Sequence, residues 1–361
     1  MVYIIVGMWK RFRTENKENG RKNKMLKNPI TIKDIAKEAG VSVSTVSRAI
    51  NNAERVDKKT KEHIEKIIND LGYSPNVVAR SLKTRRTRNI VLIVPDVTNP
   101  FYADIAKKLQ VYLKQKNYIM SLFNTNENLN DELCAIESAR ENFAGGIIFA
   151  SVAQNQCVID TLKKVNIPCV LLNSYLNCGL DSIHGEYGYG TFLSTKYLIE
   201  NGHRRIAFIG GIPGTVIGQS RKEGYIRALT EAGLEIDKRL IFEMNFSEDA
   251  GYKGSKYLTA LKPMPTAICC ANDMIAIGVL SSLREDGISV PEQISVTGID
   301  DIMYSRISSP PLTTVTNDAD AFAKQSFKLL FDQIEKTHGE KHQEVIIERT
   351  LVIRESVKRI L

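Results

Sequence analysis

Between Thr31 and Asn51 the apolar positions fall into two short bursts at helical spacing. Ile32, Ile35 and Ala36 share one face of the first burst, and Val46 and Ile50 share one face of the second. Thr31 followed by Asp34 has the spacing of an N-terminal cap, Gly40 offers the left-handed backbone that ends a helix, and Ser42 opens the next. The second helix then turns Val43, Ser44, Ser47 and Arg48 outward, a polar face of the size that enters a major groove. A third helix is predicted from Asp57 to Leu71, with Ile64, Ile67, Ile68 and Leu71 as its buried stripe and Gly72 as its stop. After Tyr73-Ser74-Pro75, Asn76 can cap one more short helix ending at Leu82, before the basic run from Lys83 to Arg88. Two helices in tandem with an outward polar face predict a helix-turn-helix head that reads DNA.

From Asn89 the pattern changes to short β-branched runs alternating with amphipathic ones. Strands are expected at Ile90–Val94, Tyr118–Phe123, Gly146–Phe149 and Cys169–Leu172, with helices near Tyr102–Lys116, Asp131–Asn142 and Asn155–Val165 between them. The alternation restarts with helices at Gly190–Asn201, Ser220–Ala232 and Asp273–Asp286, and strands at Ile206–Ile209, Ala267–Cys270 and Ile294–Thr297. Each series predicts a doubly wound parallel sheet, so the expected fold is a small all-α head followed by an α/β body of two lobes.

Charge sharpens the division. The 361 residues carry a formal net charge of +8, yet residues 1–88 alone hold 21 Lys plus Arg against 9 Asp plus Glu, leaving the body mildly acidic. A basic head on an acidic body is the footprint of a nucleic-acid module joined to a sensing domain. Met1–Trp9 is apolar but too short to span a bilayer, and the Asn-rich, charged stretch after it predicts disorder, so no membrane association is expected. The six cysteines form no Cys-x-x-Cys pair and are read as buried thiols of a reducing cytoplasm. Gly210-Gly211-Ile212-Pro213-Gly214 lacks the Gly-Lys-Ser/Thr of a phosphate loop, and neither His-Glu-x-x-His nor Gly-x-Ser-x-Gly occurs. No enzyme, cofactor or metal site is expected.

The head, Tyr73-Ser74-Pro75-Asn76 and Ala79-Arg80-Ser81-Leu82 resemble the lactose and galactose repressor family, and the likeness runs from about Ile30 to Ser356. It implies that Thr31, Val43, Ser44, Thr45, Ser47, Arg48 and Asn51 face DNA, with Arg48 the expected partner of a guanine and Ser47 on phosphate. It also implies that Asn76, Ala79 and Leu82 belong to a hinge helix whose leucine wedges into the minor groove. The body is similar to periplasmic sugar-binding proteins, which implies a ligand between the lobes, beyond the carboxyl ends of the strands. There the resemblance, with the position of each residue after its strand, points to Phe101, Tyr102, Asn173, Arg221, Phe246, Asn272 and Asp300 as effector-binding residues. Asp273 is expected to cap the helix it opens, and Asp301 to be structural. Ser308–Val315 resembles the family's crossover back to the first lobe. Ile183-His184-Gly185-Glu186-Tyr187 departs from the Val-x-x-Asp-Asn common there, which loosens any inference about the ligand.

The sequence therefore predicts a disordered or misassigned arm over residues 1–28, a helix-turn-helix domain over 29–74, a hinge helix and linker over 75–88, and an effector-binding and dimerisation domain over 89–361. The first lobe is expected at about 89–186 and 317–342, the second at about 187–316 and 343–361. The expected function is a cytoplasmic, homodimeric repressor of carbohydrate-utilisation genes that binds double-stranded operator DNA and answers to a small sugar-like effector. The alternatives are a purine- or corepressor-controlled regulator and a sugar-binding protein of a transport system.

Overall fold

The computed structural model describes residues 30–50, 56–73, 86–173, 178–186, 188–337, 339 and 341–360. The chain forms two units, Met1–Lys83 and Thr84–Leu361.

In the first unit α1 (Ile32–Glu38), α2 (Val43–Ile50) and α3 (Lys58–Leu71) close around Ile35, Ala36, Val46, Ala49, Ile64 and Ile67. The entry to α1 is held by Asp34, whose carboxylate accepts from the Thr31 N–H at 2.8 Å and from its hydroxyl at 2.7 Å. Gly40 leaves α1 with φ +63° and Gly72 ends α3 with the same angle, a backbone that costs glycine nothing. Leu71, expected in the buried stripe of α3, is instead 40 % exposed, because it lies in the last turn beyond the reach of α1 and α2.

The second unit contains two six-stranded sheets. The first has the order β11-β5-β4-β3-β1-β2, built from β1 (Asn89–Val94), β2 (Ile119–Asn124), β3 (Gly146–Ala150), β4 (Cys169–Leu172), β5 (Asp181–Gly185) and β11 (Glu344–Ile347), all neighbours parallel. Its central strands β1, β3 and β4 read as near-continuous apolar runs because helices cover both faces. Ile90, Leu92 and Val94 pack against α4 (Pro100–Gln115) and α12 (Ala319–Glu335), while Val91 and Ile93 pack against α5 (Leu129–Glu141) and α6 (Gln156–Lys164). The second sheet has the order β12-β10-β9-β8-β6-β7. It comprises β6 (Ile206–Gly210), β7 (Ile241–Glu243), β8 (Ala267–Cys270), β9 (Ser295–Asp300), β10 (Thr313–Thr316) and β12 (Leu351–Val352), and only β12 runs antiparallel. The helices of this lobe are α7 (Tyr189–Glu200), α8 (Val216–Glu231), α9 (Glu248–Thr259), α10 (Asp273–Glu285) and the short α11 (Met303–Ile307).

The chain passes between lobes three times: after β5, after β10 and after β11. Two expectations are corrected here. Thr313–Thr316 is a strand of the second sheet, parallel to β9, so Ser308–Val315 is not the crossover, and the return to the first lobe comes at Asn317 and Asp318, where the expected lobe bound of 317 lies. Glu344–Ile347, assigned from sequence to the second lobe, extends the first sheet beside β5, because its register pairs Glu344 with Ser182 and Ile347 with Gly185.

Candidate effector cleft and DNA-binding head

The carboxyl ends of both sheets open onto a cavity of about 400 Å³, within the range of small-molecule sites. Phe101, Tyr102, Asn173, Arg221, Phe246, Asn272 and Asp300, expected from sequence to meet there, all line it.

Arg221 is set by α8, which Thr215 caps by accepting from the Gly218 N–H at 3.1 Å. Its guanidinium donates to the Ala271 carbonyl, stands 3.7 Å from the Asp300 carboxylate and lies over the Phe246 ring at 5.1 Å. Asp300 ends β9 with φ +113°, a conformation that a non-glycine residue holds only where its surroundings impose it. Asn317, at a lobe crossing, donates to Asp300 at 3.1 Å. Burial raises the Asp300 carboxyl, and Arg221, Arg349 and the Asn317 bond oppose that rise.

On the first-lobe wall Tyr102 is buried, and that burial pushes its phenol up while a hydrogen bond with Asn173 pulls it down. Asn173 takes φ +52° directly after β4, and its carbonyl accepts from the Gln154 amide at 2.8 Å. Phe101 meets Phe322 edge-on at 5.6 Å and is 4 % exposed, so it is a wall of the cavity continuous with the core. Asn272 also has a structural task, since its side-chain oxygen caps α10 through the Ile275 N–H at 2.9 Å and its amide donates to the Phe246 carbonyl at 3.1 Å. It fixes Phe246 and the start of α10 more than it offers free polar atoms.

Asp273 was expected to cap α10, but that cap is Asn272. Asp273 is instead fully buried, and accepts from the Ile302 N–H at 3.0 Å, the Ser305 hydroxyl at 2.6 Å and the Thr314 hydroxyl at 2.6 Å. Burial, then the neighbouring Asp300, raises its carboxyl to about 8. Asp301 pairs with Arg354 at 2.5 Å. The cavity also gains residues that no sequence motif singled out, chiefly Asp96, Asn126, Glu127, Asn245 and Asn317. All follow strands at the carboxyl end, so the position rule that found Asn173 could have found them too.

In the head, Val43 is 42 % exposed and Arg48 is exposed on the same helix, as the reading-face expectation requires. Ser44 and Thr45 bond through their hydroxyls to Ser42 Oγ at 2.7 and 2.8 Å, and Ser42 Oγ also accepts from the Thr45 N–H at 3.1 Å. Their hydroxyls therefore help to start α2, and contact with DNA would require them to share those bonds. Ser47 is half-buried and Thr31 exposed. Asn51, Asn76, Ala79 and Leu82 lie outside the described residues, as does nearly all of the expected hinge. Among the described cysteines Cys169, Cys269 and Cys270 are buried, but Cys134 and Cys157 are exposed on helices, against the expectation of buried thiols. The described residues contain no cluster of three or more His, Cys, Asp or Glu fit for a metal, and no helix long and apolar enough to cross a membrane.

Residues 31–76 match the description "Bacterial regulatory proteins, lacI family", and residues 195–357 match "Periplasmic binding protein-like domain". The HTH-type transcriptional repressor PurR of Pasteurella multocida (strain Pm70) is 36 % identical over 330 residues, covering 91 % of this chain and 98 % of that one. The structure of a transcriptional regulator CelR–cellobiose complex is 29 % identical with a TM-score of 0.69, over 91 % of this chain and 99 % of that one. The lac repressor dimer bound to operator and the anti-inducer ONPF is 25 % identical with a TM-score of 0.81, over 92 % and 100 % respectively. With a helix-turn-helix head, a two-lobed parallel-sheet body and similarity to a repressor over nine-tenths of its length, the chain belongs to the lacI family of bacterial regulatory proteins.

Proposed function

We propose that the protein is a cytoplasmic, homodimeric transcriptional repressor that binds a two-fold operator through Val43, Ser44, Thr45, Ser47 and Arg48, and that a small sugar-like effector in the cleft sets its affinity for DNA. The observation that carries the effector reading is the convergence of Arg221, Asp300, Asn173 and the Phe246 ring on one cavity at the strand ends. Ring hydroxyls suit a carboxylate, a guanidinium and amides, and the apolar face of a sugar suits an aromatic ring. The CelR–cellobiose complex among the similar structures supports the same class. A planar heterocycle such as a purine is the second reading, favoured by the Phe246 face with Arg221 stacked on it.

The three lobe crossings give an effector a hinge to act on. To change operator affinity a hundredfold it must favour one body state over the other by about 2.7 kcal/mol. The test is selection of sites from a random DNA pool with the full-length protein at fixed salt, repeated with individual sugars and purines. Enrichment of a palindrome whose binding a sugar changes supports the proposal, and the direction of change distinguishes inducer from corepressor. Response to purines alone transfers the case to the second reading, and tight sugar binding with no enriched site would point to a solute-binding protein.

A further inference from the structure

The two ends of the cleft differ in charge. At the second-lobe end Asp300 is compensated, with Arg221 at 3.7 Å and Arg349 close enough to favour its ionised form. At the first-lobe end Asp96 and Glu127 line the cavity together, and Arg221 is the one cation among the described lining residues. Burial raises the Glu127 carboxyl first, and Asp96 and Glu132 raise it further, with no cation among the causes.

Both first-lobe carboxylates keep acceptor capacity. Asp96 Oδ1 accepts from the Thr98 N–H at 2.8 Å and from its hydroxyl at 2.7 Å, while Oδ2 has no bond from a described residue. The Glu127 carboxylate likewise accepts none among the described residues. Across the cavity Asn317, 4 % exposed, donates its amide to Asp300 and is left with an unpartnered Oδ1. Arg221 gives one N–H to the Ala271 carbonyl and lies beside Asp300, at the second-lobe end. At the first-lobe end Asp96 Oδ2 and the Glu127 carboxylate are left to accept, so a molecule bound against them must supply donors there.

We infer that the effector is an uncharged or cationic molecule, a neutral or amino sugar that offers donors to Asp96 and Glu127, and that these two residues reject phosphorylated and carboxylated sugars. An anion at this end would face two uncompensated carboxylates, whereas hydroxyl or ammonium donors would satisfy them. The inference rests on the effector reading of the cleft.

The test splits a bacterial metabolite extract on an anion exchanger at neutral pH and follows thermal unfolding of the full-length protein with each fraction. A rise of at least about 2 °C with the unretained fraction, lost in Asp300→Ala, is the expected result. The same rise with the retained, anionic fraction overturns the inference but leaves the cleft reading standing. No rise with either fraction, or a rise that survives in Asp300→Ala, overturns the cleft reading and this inference with it. A second measurement does not depend on Asp300→Ala folding. In the double variant Asp96→Asn, Glu127→Gln, the affinity for the phosphate ester of the stabilising compound, relative to the compound itself, should rise about tenfold or more. An unchanged ratio shows that these carboxylates do not set the selection.

Discussion

At Asp273 one side chain shows how position in a chain can mislead about role. Its place after β8 suggested a helix cap, but the cap falls on Asn272 and the carboxylate turns inward to join α10, β10 and α11 through three donors. Asp273→Ala would leave the Ile302 N–H and two hydroxyls without their acceptor, at a cost of about 3 kcal/mol in urea unfolding. Its pH dependence follows from a carboxyl raised to about 8 from an ordinary 3.8. Between those values the folded protein keeps a proton that the unfolded chain has released. Stability from this group is therefore full at the acid end and is lost as pH rises toward 8. Asp273→Asn should flatten that part of the stability profile relative to the wild type, and an unchanged difference at every pH would show the group ionised throughout. The Ser305 and Thr314 hydroxyls can rotate to accept from the neutral acid, which makes the protonated state tenable. In the head, Arg48→Ala should relax discrimination at one base of each half-site by about 1–3 kcal/mol, measured by competition between operators that differ at one position.

Elements were legible where their buried faces are apolar. The strands Gly146–Ala150, Cys169–Leu172 and Ala267–Cys270 stand within a residue of their expected bounds, since helices on both sides demand continuous hydrophobic runs. The helix Glu248–Thr259 gave no such signal. Its inner face is Ala250, Gly251, Gly254, Ser255 and Leu258, chosen for closeness rather than hydrophobicity. A Cβ on Gly251 would stand 1.9 Å from the Ile275 carbonyl oxygen, and one on Gly278 would stand 1.9 Å from that of Glu248. The backbones of α9 and α10 thus touch, and pattern reading overlooks a contact made without side chains. Gly278→Ala should force the helices apart and cost about 1–3 kcal/mol, read from the shift in urea midpoint. Asp181–Gly185 was missed for a related reason: Asp, Ser, His and Gly outnumber its one aliphatic residue, yet every position is buried.

Over the whole molecule the division into a basic head and an acidic α/β body could be read from charge and period alone, and the cleft from the rule that ligands sit beyond strand carboxyl ends. The weave between lobes was expected from the resemblance, but the sheet that Glu344–Ile347 joins was not, because register decides which sheet a four-residue strand joins and leaves no mark on composition. The concentration of charge in residues 1–88, 21 basic against 9 acidic, predicts strongly salt-dependent DNA binding. If about six phosphates are neutralised, affinity should fall roughly a thousandfold between 50 and 200 mM salt, and a flat salt titration would exclude this head as the electrostatic contact.

The placement of Glu344–Ile347 also constrains how the protein comes into being. This strand completes the first sheet beside Asp181–Gly185, but every strand from Ile206 to Thr316 is translated between the two. On the ribosome the first lobe is begun early and must wait, its sheet edge at Asp181–Gly185 unpaired, until the central strands of its neighbour have been made. The lobes that open and close as separate bodies in the proposed switch can thus be finished only together, and a chain stalled before Glu344 would present that open edge to others like it.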